Sequence, residues 1–351
     1  MKVLVLFFSV KNLYKILFLT SLMAGTFISV SSTSWMGMWI GLEINLLSII
    51  PLMSSKNNIM SNEASLKYFI TQAMASTLLL FAVLIMMISS FFNNFISANE
   101  LSSMILNTSL LTKIGAAPFH FWFPEVMEGL QWTNCFILLT WQKFAPMVLL
   151  MYNVNSLMFI SIIIIISMLI SGIMGINQSS LRKIMAYSSI NHIAWMLSSL
   201  MFMEKIWVYY FVIYSFITIN LLLIFNLYKT FFINQLFNSM KTNTLMKILF
   251  SMNFMSMGGL PPFLGFFPKW LTIQVMINNE MFILTFLMTI MTLLTLYFYM
   301  RLAFSAFLLH SNENNFEINI AASINSNKFI MVMNLIQLTS LLVCPILFNI
   351  L

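Results

Sequence analysis

Charged residues are scarce in this sequence, and aspartate is absent. Of the 351 residues only 7% are charged, whereas 60% are hydrophobic and the mean hydropathy is +0.94. A soluble domain is about 25% charged, so the composition excludes a soluble globular protein. It predicts an integral membrane protein, in which each span needs about 20 apolar residues. The apolar runs are continuous rather than alternating, which favours helices over a β-barrel.

Sequence motifs for redox and nucleotide chemistry are also missing. There is no Gly-rich nucleotide loop, no Cys-X-X-Cys pair, no HExxH motif, no histidine pair at haem spacing and no evident Ser-His-acid set. Cys135 and Cys344 both lie in apolar runs, which indicates small buried hydrophobic residues. The basic residues are scattered, so the net charge of +7 does not indicate nucleic-acid binding. The sequence predicts no cofactor, no metal site and no nucleic-acid partner for this chain.

Apolar runs of spanning length follow one another along the chain. They predict about eleven transmembrane helices in an all-α, polytopic fold, which forms one membrane domain over residues 1–351. The connections are short and rich in Asn and Ser, with no separate extramembrane domain. The runs are 13–31, 35–53, 66–92, 101–122, 132–152, 157–176, 182–202, 206–229, 247–277, 281–303 and 328–350.

The distribution of charge predicts the orientation of these helices. If the N-terminus is on the inner side, the outer side keeps only Lys205 as a positive charge, beside Glu100, Glu204 and Glu280. This asymmetry is what the positive-inside rule requires. The inner-side positive charges are Lys2, Lys11, Lys15, Lys56, Lys67, Arg182, Lys183, Lys229, Lys241, Lys247, Arg301 and Lys328.

Four charged residues fall inside predicted spans rather than in loops: Glu43, Lys113, Lys143 and Lys269. A charge at the bilayer centre costs at least about 3 kcal/mol, so these residues require a compensating environment. Intramembrane charges are functional candidates by default. Two alternatives stay open: Glu43 only secures helix packing, and the Lys143 stem extends to the interface.

Glycine and proline interrupt two of the long apolar runs. "KIGAAPFHFWFPEVMEG" (113–129) and "MGGLPPFLGFFPKW" (257–270) share small residues, proline, aromatic residues and then proline followed by a charge. Paired interrupted helices are typical of transporters built from repeats. A broken backbone at membrane depth is tolerated only beside protein or a water-filled cavity. Each interruption therefore predicts a polar pocket, with Lys113 and Lys269 as the ionisable groups.

Proton transfer is the chemistry that such pockets favour. Burial favours the neutral amine of a lysine, and a nearby carboxylate such as Glu43 restores the ammonium form. His120 in "PFHFW" and His192 in "YSSINHIAWM" are secondary candidates, because histidine titrates near neutral pH. The alternative for each histidine is a hydrogen-bonded structural residue within the helix bundle.

Six motifs, in order along the chain, resemble the chain 2 family of mitochondrial NADH:ubiquinone oxidoreductase (respiratory complex I), in its animal form. The resemblance extends from about residue 13 to about residue 303. The motifs are "GLEINLLSIIP", "EASLKYFITQAMAS", "KIGAAPFHFWFPEVMEG", "LLTWQKFAP", "NQSSLRKIMAYSSINHIAWM" and "GGLPPFLGFFPKW".

The resemblance implies an antiporter-like fold with two inverted five-helix repeats, 13–152 and 157–303, each holding one broken helix. A loop and a final helix over 304–351 would follow. It also implies that Glu43 pairs with Lys113, that Lys143 is the connecting lysine, and that protons then pass His192 to reach Lys269.

The same resemblance implies a location in the mitochondrial inner membrane and partners in a larger complex. NADH, FMN, iron–sulfur clusters and ubiquinone would belong to partner subunits. The direct partners would be an adjacent antiporter-like subunit, smaller membrane subunits and lipid. Two other functions stay open from the residues alone: a stand-alone cation/proton antiporter, and a structural scaffold whose internal charges only guide assembly.

Overall fold

The computed structural model describes residues 13–55, 58–91, 96–154, 156–240, 244–261, 263–308, 332, 334 and 335. Over these residues the chain forms fourteen α-helices and no β-strand. The predicted eleventh span (328–350) is largely outside them, as are most of the predicted loop 304–327 and the segment before residue 13. The count of eleven spans therefore stays a prediction.

The chain divides into two compact units, Met1–Ile160 and Ser161–Leu351. Helix α8 begins in the first unit and continues into the second. The helices of the first unit are α1 Leu13–Ser31, α2 Trp35–Met53, α3 Ile59–Phe91, α4 Ile96–Ile114, α5 Trp122–Gly129, α6 Trp132–Leu139 and α7 Trp141–Met151. Those of the second are α8 Leu157–Ile176, α9 Leu181–Leu200, α10 Glu204–Tyr228, α11 Ile233–Met240, α12 Thr244–Gly258, α13 Phe266–Asn278 and α14 Phe282–Leu308.

Seven helical stretches in the described part of the chain are long and apolar enough to span a membrane. They confirm a multi-pass, all-helical membrane protein. They are Tyr14–Ser31, Trp35–Met53, Ile59–Ile88, Trp132–Met151, Leu157–Ile176, Glu204–Tyr228 and Phe282–Ala306.

Several predicted boundaries change. Helix α3 begins at Ile59 rather than at 66, so Lys67 lies two turns inside the helix rather than in its first turn. The predicted run 101–122 is helix α4 followed by an irregular segment, and the run 132–152 is divided at Thr140 into α6 and α7. The run 247–277 is divided into α12 and α13, as its Gly-Pro interruption indicates.

Helices α1 and α2 pack with their backbones in contact, because glycine lies at the crossing point. A Cβ atom on Gly41 would lie 2.5 Å from the backbone nitrogen of Ser29, and one on Gly25 would lie 2.9 Å from the backbone nitrogen of Asn45. Glycine is needed at both positions because no side chain fits between the helices. The crossing fixes the part of α2 that carries Glu43 and Asn45.

Helix α9 is buried on every side. Of its twenty residues only Arg182 and Lys183, in the first turn, are partly exposed. The helix packs against α10, α13 and α14 of the same unit. A helix buried all round has no solvent or lipid face, so its Ser, Asn and His side chains are held inside the protein.

Candidate functional site

The first interruption begins immediately after Lys113. Gly115 has φ +81°, and the backbone N–H groups of Gly115 and Ala116 both donate to the carbonyl of Leu111, at 3.0 and 3.1 Å. The chain then turns without regular helix until α5 begins at Trp122. Two carbonyls near the end of α4 accept side-chain hydrogen bonds, Thr112 from the Trp122 indole at 3.1 Å and Lys113 from Gln72 at 3.3 Å.

Lys113 lines a small cavity of about 10 Å³. This volume is at the lower limit for holding one water molecule. Lys113 is 6% exposed, so it is buried beside this cavity. The other lining residues are Leu42, Asn45, Leu46, Tyr68, Gln72, Gln142 and Pro146.

Three polar side chains in the wall of this cavity are joined by hydrogen bonds. The Tyr68 hydroxyl donates to Oε1 of Gln142 at 3.2 Å, and Nε2 of Gln142 donates to Oδ1 of Asn45 at 2.9 Å. We call Tyr68, Gln142 and Asn45 the amide relay. It joins α3, α7 and α2 next to Lys113, so three helices position the groups around one amine.

Glu43 lies on α2 between the cavity-lining residues Leu42 and Asn45 and is half-buried. Its carboxylate interacts electrostatically with Lys113. Glu43 and Lys113 do not form a direct ion pair. The predicted pairing of these two residues stays a prediction.

Lys143 is 1% exposed and lies on α7. Its Nζ is 5.1 Å from the centroid of the Phe123 ring, a cation–π distance. Phe123 is the second residue of α5, and it packs against Gly115 of the first interruption. Gln142, the residue before Lys143, belongs to the amide relay. Helix α7 therefore connects the surroundings of Lys143 to those of Lys113.

Two further titratable groups of the first interruption, His120 and Glu125, differ in exposure. His120 is buried, and its ring centroid is 4.7 Å from that of Phe121. Glu125 is exposed and pairs with Lys67 at 3.0 Å, and Lys67 also pairs with Glu63 at 3.1 Å. In both interruptions a proline is followed by a charged residue, but the two charged residues differ in their surroundings. Glu125 forms an exposed ion pair, whereas the amine of Lys269 is buried.

The second interruption contains Lys269 and its hydrogen-bond acceptors. Helix α12 ends at Gly258 and α13 begins at Phe266. The Lys269 amine donates to the carbonyl of Gly258 at 2.8 Å and to that of Met257 at 3.3 Å. The last carbonyls of a helix carry partial negative charge. Lys269 therefore lies where the broken helix offers both acceptors and a favourable dipole for a cation.

Helix α9 supplies two groups near this second site. Trp195 is buried, and its ring is 5.9 Å from the Lys269 Nζ. His192, three residues earlier, shares a 2.9 Å hydrogen bond between its Nδ1 and the Tyr210 hydroxyl, and its ring centroid is 5.0 Å from that of Tyr214. Residues three apart lie on the same side of a helix. His192 and Trp195, which contacts Lys269, therefore lie on the same side of α9.

The amide relay and Gln72 were not predictable from the sequence. These residues are uncharged, and single Asn, Gln and Tyr residues within apolar runs are not distinguished from packing residues by any motif. The burial of Lys247, one of the predicted inner-side charges, was not predicted either: it is 7% exposed on α12. Burial of these groups depends on which helices pack together, which no single run of sequence specifies.

The described helices, two of them interrupted beside a buried lysine, define an antiporter-like membrane protein. Comparison with solved structures confirms this fold. A chain of the structure entitled "Respiratory complex I from Thermus thermophilus with bound Aureothin" superposes with a TM-score of 0.78 at 20% identity, covering 95% of this chain and 79% of that chain. A chain of "Structure of Mrp complex from Dietzia sp. DQ12-45-1b" has a TM-score of 0.77 at 16% identity, covering 94% and 75%.

Sequence comparison identifies the family within this class. The family model "NADH:quinone oxidoreductase/Mrp antiporter, TM" matches residues 32–295. NADH-ubiquinone oxidoreductase chain 2 of Anopheles gambiae is 47% identical over 340 residues, which are 96% of this chain and 99% of that protein. The chain belongs to the NADH-ubiquinone oxidoreductase chain 2 family, and the predicted resemblance to its animal members is confirmed.

Proposed function

We propose that this chain is a proton-translocating membrane subunit of respiratory NADH:ubiquinone oxidoreductase in the mitochondrial inner membrane, with its N-terminus on the matrix side. Electrons pass from NADH to ubiquinone, by way of FMN and iron–sulfur clusters, in partner subunits. The membrane partners are an adjacent antiporter-like subunit, smaller membrane subunits and lipid. Membership of the chain 2 family supports this assignment.

One observation carries the proton-translocating role: each interrupted helix holds a buried amine in a polar environment. Lys269 donates to two carbonyls that the end of α12 leaves available, and Lys113 faces a water-sized cavity beside the amide relay. An amine inside an apolar bundle costs several kcal/mol when charged and unsolvated. These acceptors and the cavity offset that cost, so both protonation states are accessible to the lysines.

The first unit provides the parts of a charge-controlled proton switch. When Glu43 is ionised, its charge stabilises the Lys113 ammonium. When Glu43 is neutralised or displaced, the ammonium loses that stabilisation and releases its proton. One water in the 10 Å³ cavity would connect Lys113 to the amide relay, which holds that water in place without itself changing charge.

The energies involved are of matching size. Moving one charge across 100 mV requires about 2.3 kcal/mol. A hundredfold change in the proton affinity of one amine corresponds to about 2.7 kcal/mol. A single lysine whose proton affinity changes by this factor therefore suffices to move one proton against a potential of that order. The transfer order Glu43, Lys113, Lys143, His192 and Lys269, with His120 as an accessory group, stays part of the proposal.

Substitution of the two lysines tests the role. We expect Lys113→Met or Lys269→Met to reduce the number of protons translocated per NADH oxidised, whereas Lys205→Met, an exposed residue at the start of α10, leaves that ratio unchanged. The measurement is the quench of a pH-sensitive dye in coupled membrane vesicles, normalised to NADH oxidation. Assembly of the complex is checked on native gels in every case.

Lys113→Arg separates proton transfer from assembly. Arginine keeps the positive charge but does not release its proton at physiological pH. A scaffold role predicts normal translocation in an assembled Lys113→Arg complex, whereas the proposed role predicts loss of translocation. The stand-alone antiporter is tested by reconstituting the chain by itself: cation/proton exchange without partner subunits would favour that function over the proposed one.

A further inference from the structure

The second unit contains a cavity of about 740 Å³ that none of the proposed proton sites uses. Its walls are the loop after α8, the first turns of α9 and α11, and the last turns of α14, with lining residues from 175–179, 232–237 and 298–305. Spans α8 and α14 end here and α9 begins here. The cavity therefore opens at one end of the helix bundle, where the membrane surface lies.

Backbone hydrogen bonds hold one wall of this cavity in shape. The N–H of Ile233 donates to the carbonyl of Ser179 at 3.2 Å, and the N–H of Leu181 donates to the carbonyl of Phe231 at 2.9 Å. Oε1 of Gln235 accepts from the N–H groups of Phe231 and Phe232, at 3.1 and 3.3 Å. The segments before α9 and α11 are thus joined to each other, and the cavity is a built feature of the fold.

The lining is divided between polar and apolar groups. Arg301, Gln178 and Asn234 supply a guanidinium and two carboxamides. Phe298 and Phe237 supply aromatic surface. A ligand that fills this space must therefore combine a polar, anionic part with hydrocarbon.

The guanidinium of Arg301 has no acidic partner among the described residues. No hydrogen bond or ion pair joins it to any of them. The described acids of this unit are Glu204 and Glu280, at the other ends of their helices. Glu204 begins α10, about 36 Å from its end by helical rise, and Glu280 precedes Arg301 by a helical distance of about 30 Å.

Basic residues are concentrated at the cavity end of the unit. Arg182 lies 4.5 Å from the centroid of the Phe231 ring, beside the cavity wall. Lys183 follows it on α9, and Lys229 is exposed at the end of α10. The described part of this end thus carries several positive charges and no acid, which attracts anions to the cavity.

We propose that this cavity binds an anionic phospholipid, with the phosphodiester on Arg301 and the first acyl methylenes against Phe298 and Phe237. Basic pockets between transmembrane helices are suited to anionic headgroups, and a guanidinium binds phosphate oxygens in a bidentate manner. The cavity lies within the usual range of about 300–1,000 Å³ for ligand pockets. Inorganic phosphate would satisfy Arg301 but would leave the aromatic wall in contact with water, so the apolar lining favours the lipid.

Photocrosslinking to the purified, intact complex tests the proposal. A photoactivatable phosphatidylglycerol is added to the delipidated complex, and labelled peptides are identified by mass spectrometry. We expect label on 175–179, 232–237 and 298–305, displaced by unlabelled phosphatidylglycerol but not by phosphatidylcholine or inorganic phosphate. Equal displacement by phosphatidylcholine would mean non-specific boundary lipid, and displacement by inorganic phosphate would mean a simple anion site; either result overturns the proposal.

Substitution provides a second, independent comparison. Arg301→Gln should reduce the labelling about fivefold, the effect of one basic residue near an anionic headgroup. Lys229→Gln removes an exposed charge from the same end of the unit, and it should reduce the labelling much less than Arg301→Gln does. An equal loss in both variants would mean general surface attraction, and the proposal would fail. If Arg301→Gln does not assemble, the competition experiment on the unsubstituted complex decides alone.

The sequence after α14 offers one competing occupant. Glu313 and Glu317 follow Arg301 in the chain. If these acids bound Arg301 in place of lipid, labelling would be absent from the unsubstituted complex and would emerge only with Glu313→Gln and Glu317→Gln together. That pattern would contradict the proposal, whereas labelling that is the same with and without these substitutions supports it.

Discussion

Gly259 lies directly against the side chain of Lys269. A methyl group on Gly259 would stand 2.7 Å from Cδ and 3.0 Å from Nζ of Lys269. Gly259 also has φ +77°, a conformation that other residues adopt at a cost. Glycine is therefore required at this position for two reasons. The turn that ends α12 needs its positive φ, and the Lys269 side chain that hydrogen-bonds to the Gly258 carbonyl occupies the space of a methyl group.

Gly259→Ala should displace the Lys269 amine. The added methyl group meets the lysine stem, and left-handed strain adds about 1–2 kcal/mol. We expect a severalfold loss of proton translocation per NADH oxidised, measured by dye quench in coupled vesicles. Gly258→Ala is the matched control. Its new methyl group would have no neighbour closer than 3.7 Å, so we expect normal translocation. If both variants translocated the same number of protons per NADH oxidised, the space at Gly259 would not matter for the function of Lys269.

Gln142→Leu should interrupt the amide relay. It leaves the buried Tyr68 hydroxyl and the Asn45 amide oxygen without their shared partner, and each unsatisfied group costs about 1–3 kcal/mol. We expect fewer protons translocated per NADH oxidised in an assembled complex. Gln274→Leu makes the same chemical change at a side chain with no hydrogen bond to other described residues, and should leave the ratio intact. A normal ratio in Gln142→Leu would limit the relay to a structural role.

Tyr210→Phe should release the ring of His192. The substitution removes the 2.9 Å hydrogen bond at Nδ1 and retains the aromatic packing. We expect a loss of about 1 kcal/mol in stability and a slower initial rate of proton translocation. Tyr209→Phe, at the neighbouring half-buried residue, is the control. His192 would be excluded from the proton route if both variants translocated at the rate of the unsubstituted complex.

Gly41→Ala should separate α1 from α2. The new methyl group would overlap the backbone of Ser29, which is unable to move aside as a flexible side chain would. We expect less fully assembled complex on native gels. Gly37→Ala, one turn earlier on α2, meets chiefly the side chain of Ser32 at 2.9 Å and should assemble more nearly normally. A reversed order of assembly would mean that the helix crossing is not the limiting contact.

The interruptions were predictable from sequence because glycine and proline act locally. The clusters around Gly115 and Gly259 predict where α4 and α12 end, and the structure confirms both. The acceptors of Lys269 were not predictable. They are carbonyls of the broken helix itself, and which carbonyls the amine reaches depends on how α13 folds back beside α12.

Uncharged polar residues mark the limit of the sequence analysis. Gln142 and Asn45 lie in separate apolar runs, and only the packing of α7 beside α2 brings them together. Helix α11 was missed for a different reason. Its eight residues, "INQLFNSM", have the composition of a linker, and the burial of Leu236 and Met240 that stabilises the helix is supplied by neighbouring helices.

The complete enclosure of α9 has a consequence for biosynthesis. This helix is not among the stretches apolar enough to cross a membrane unaided, and its neighbours α10, α13 and α14 all lie later in the chain. During translation α9 therefore leaves the ribosome before these three helices exist. Until α14 has been made, the insertion machinery has to shelter its serines, Asn191 and His192 from lipid, so the second unit is able to mature only after most of its length has been synthesised.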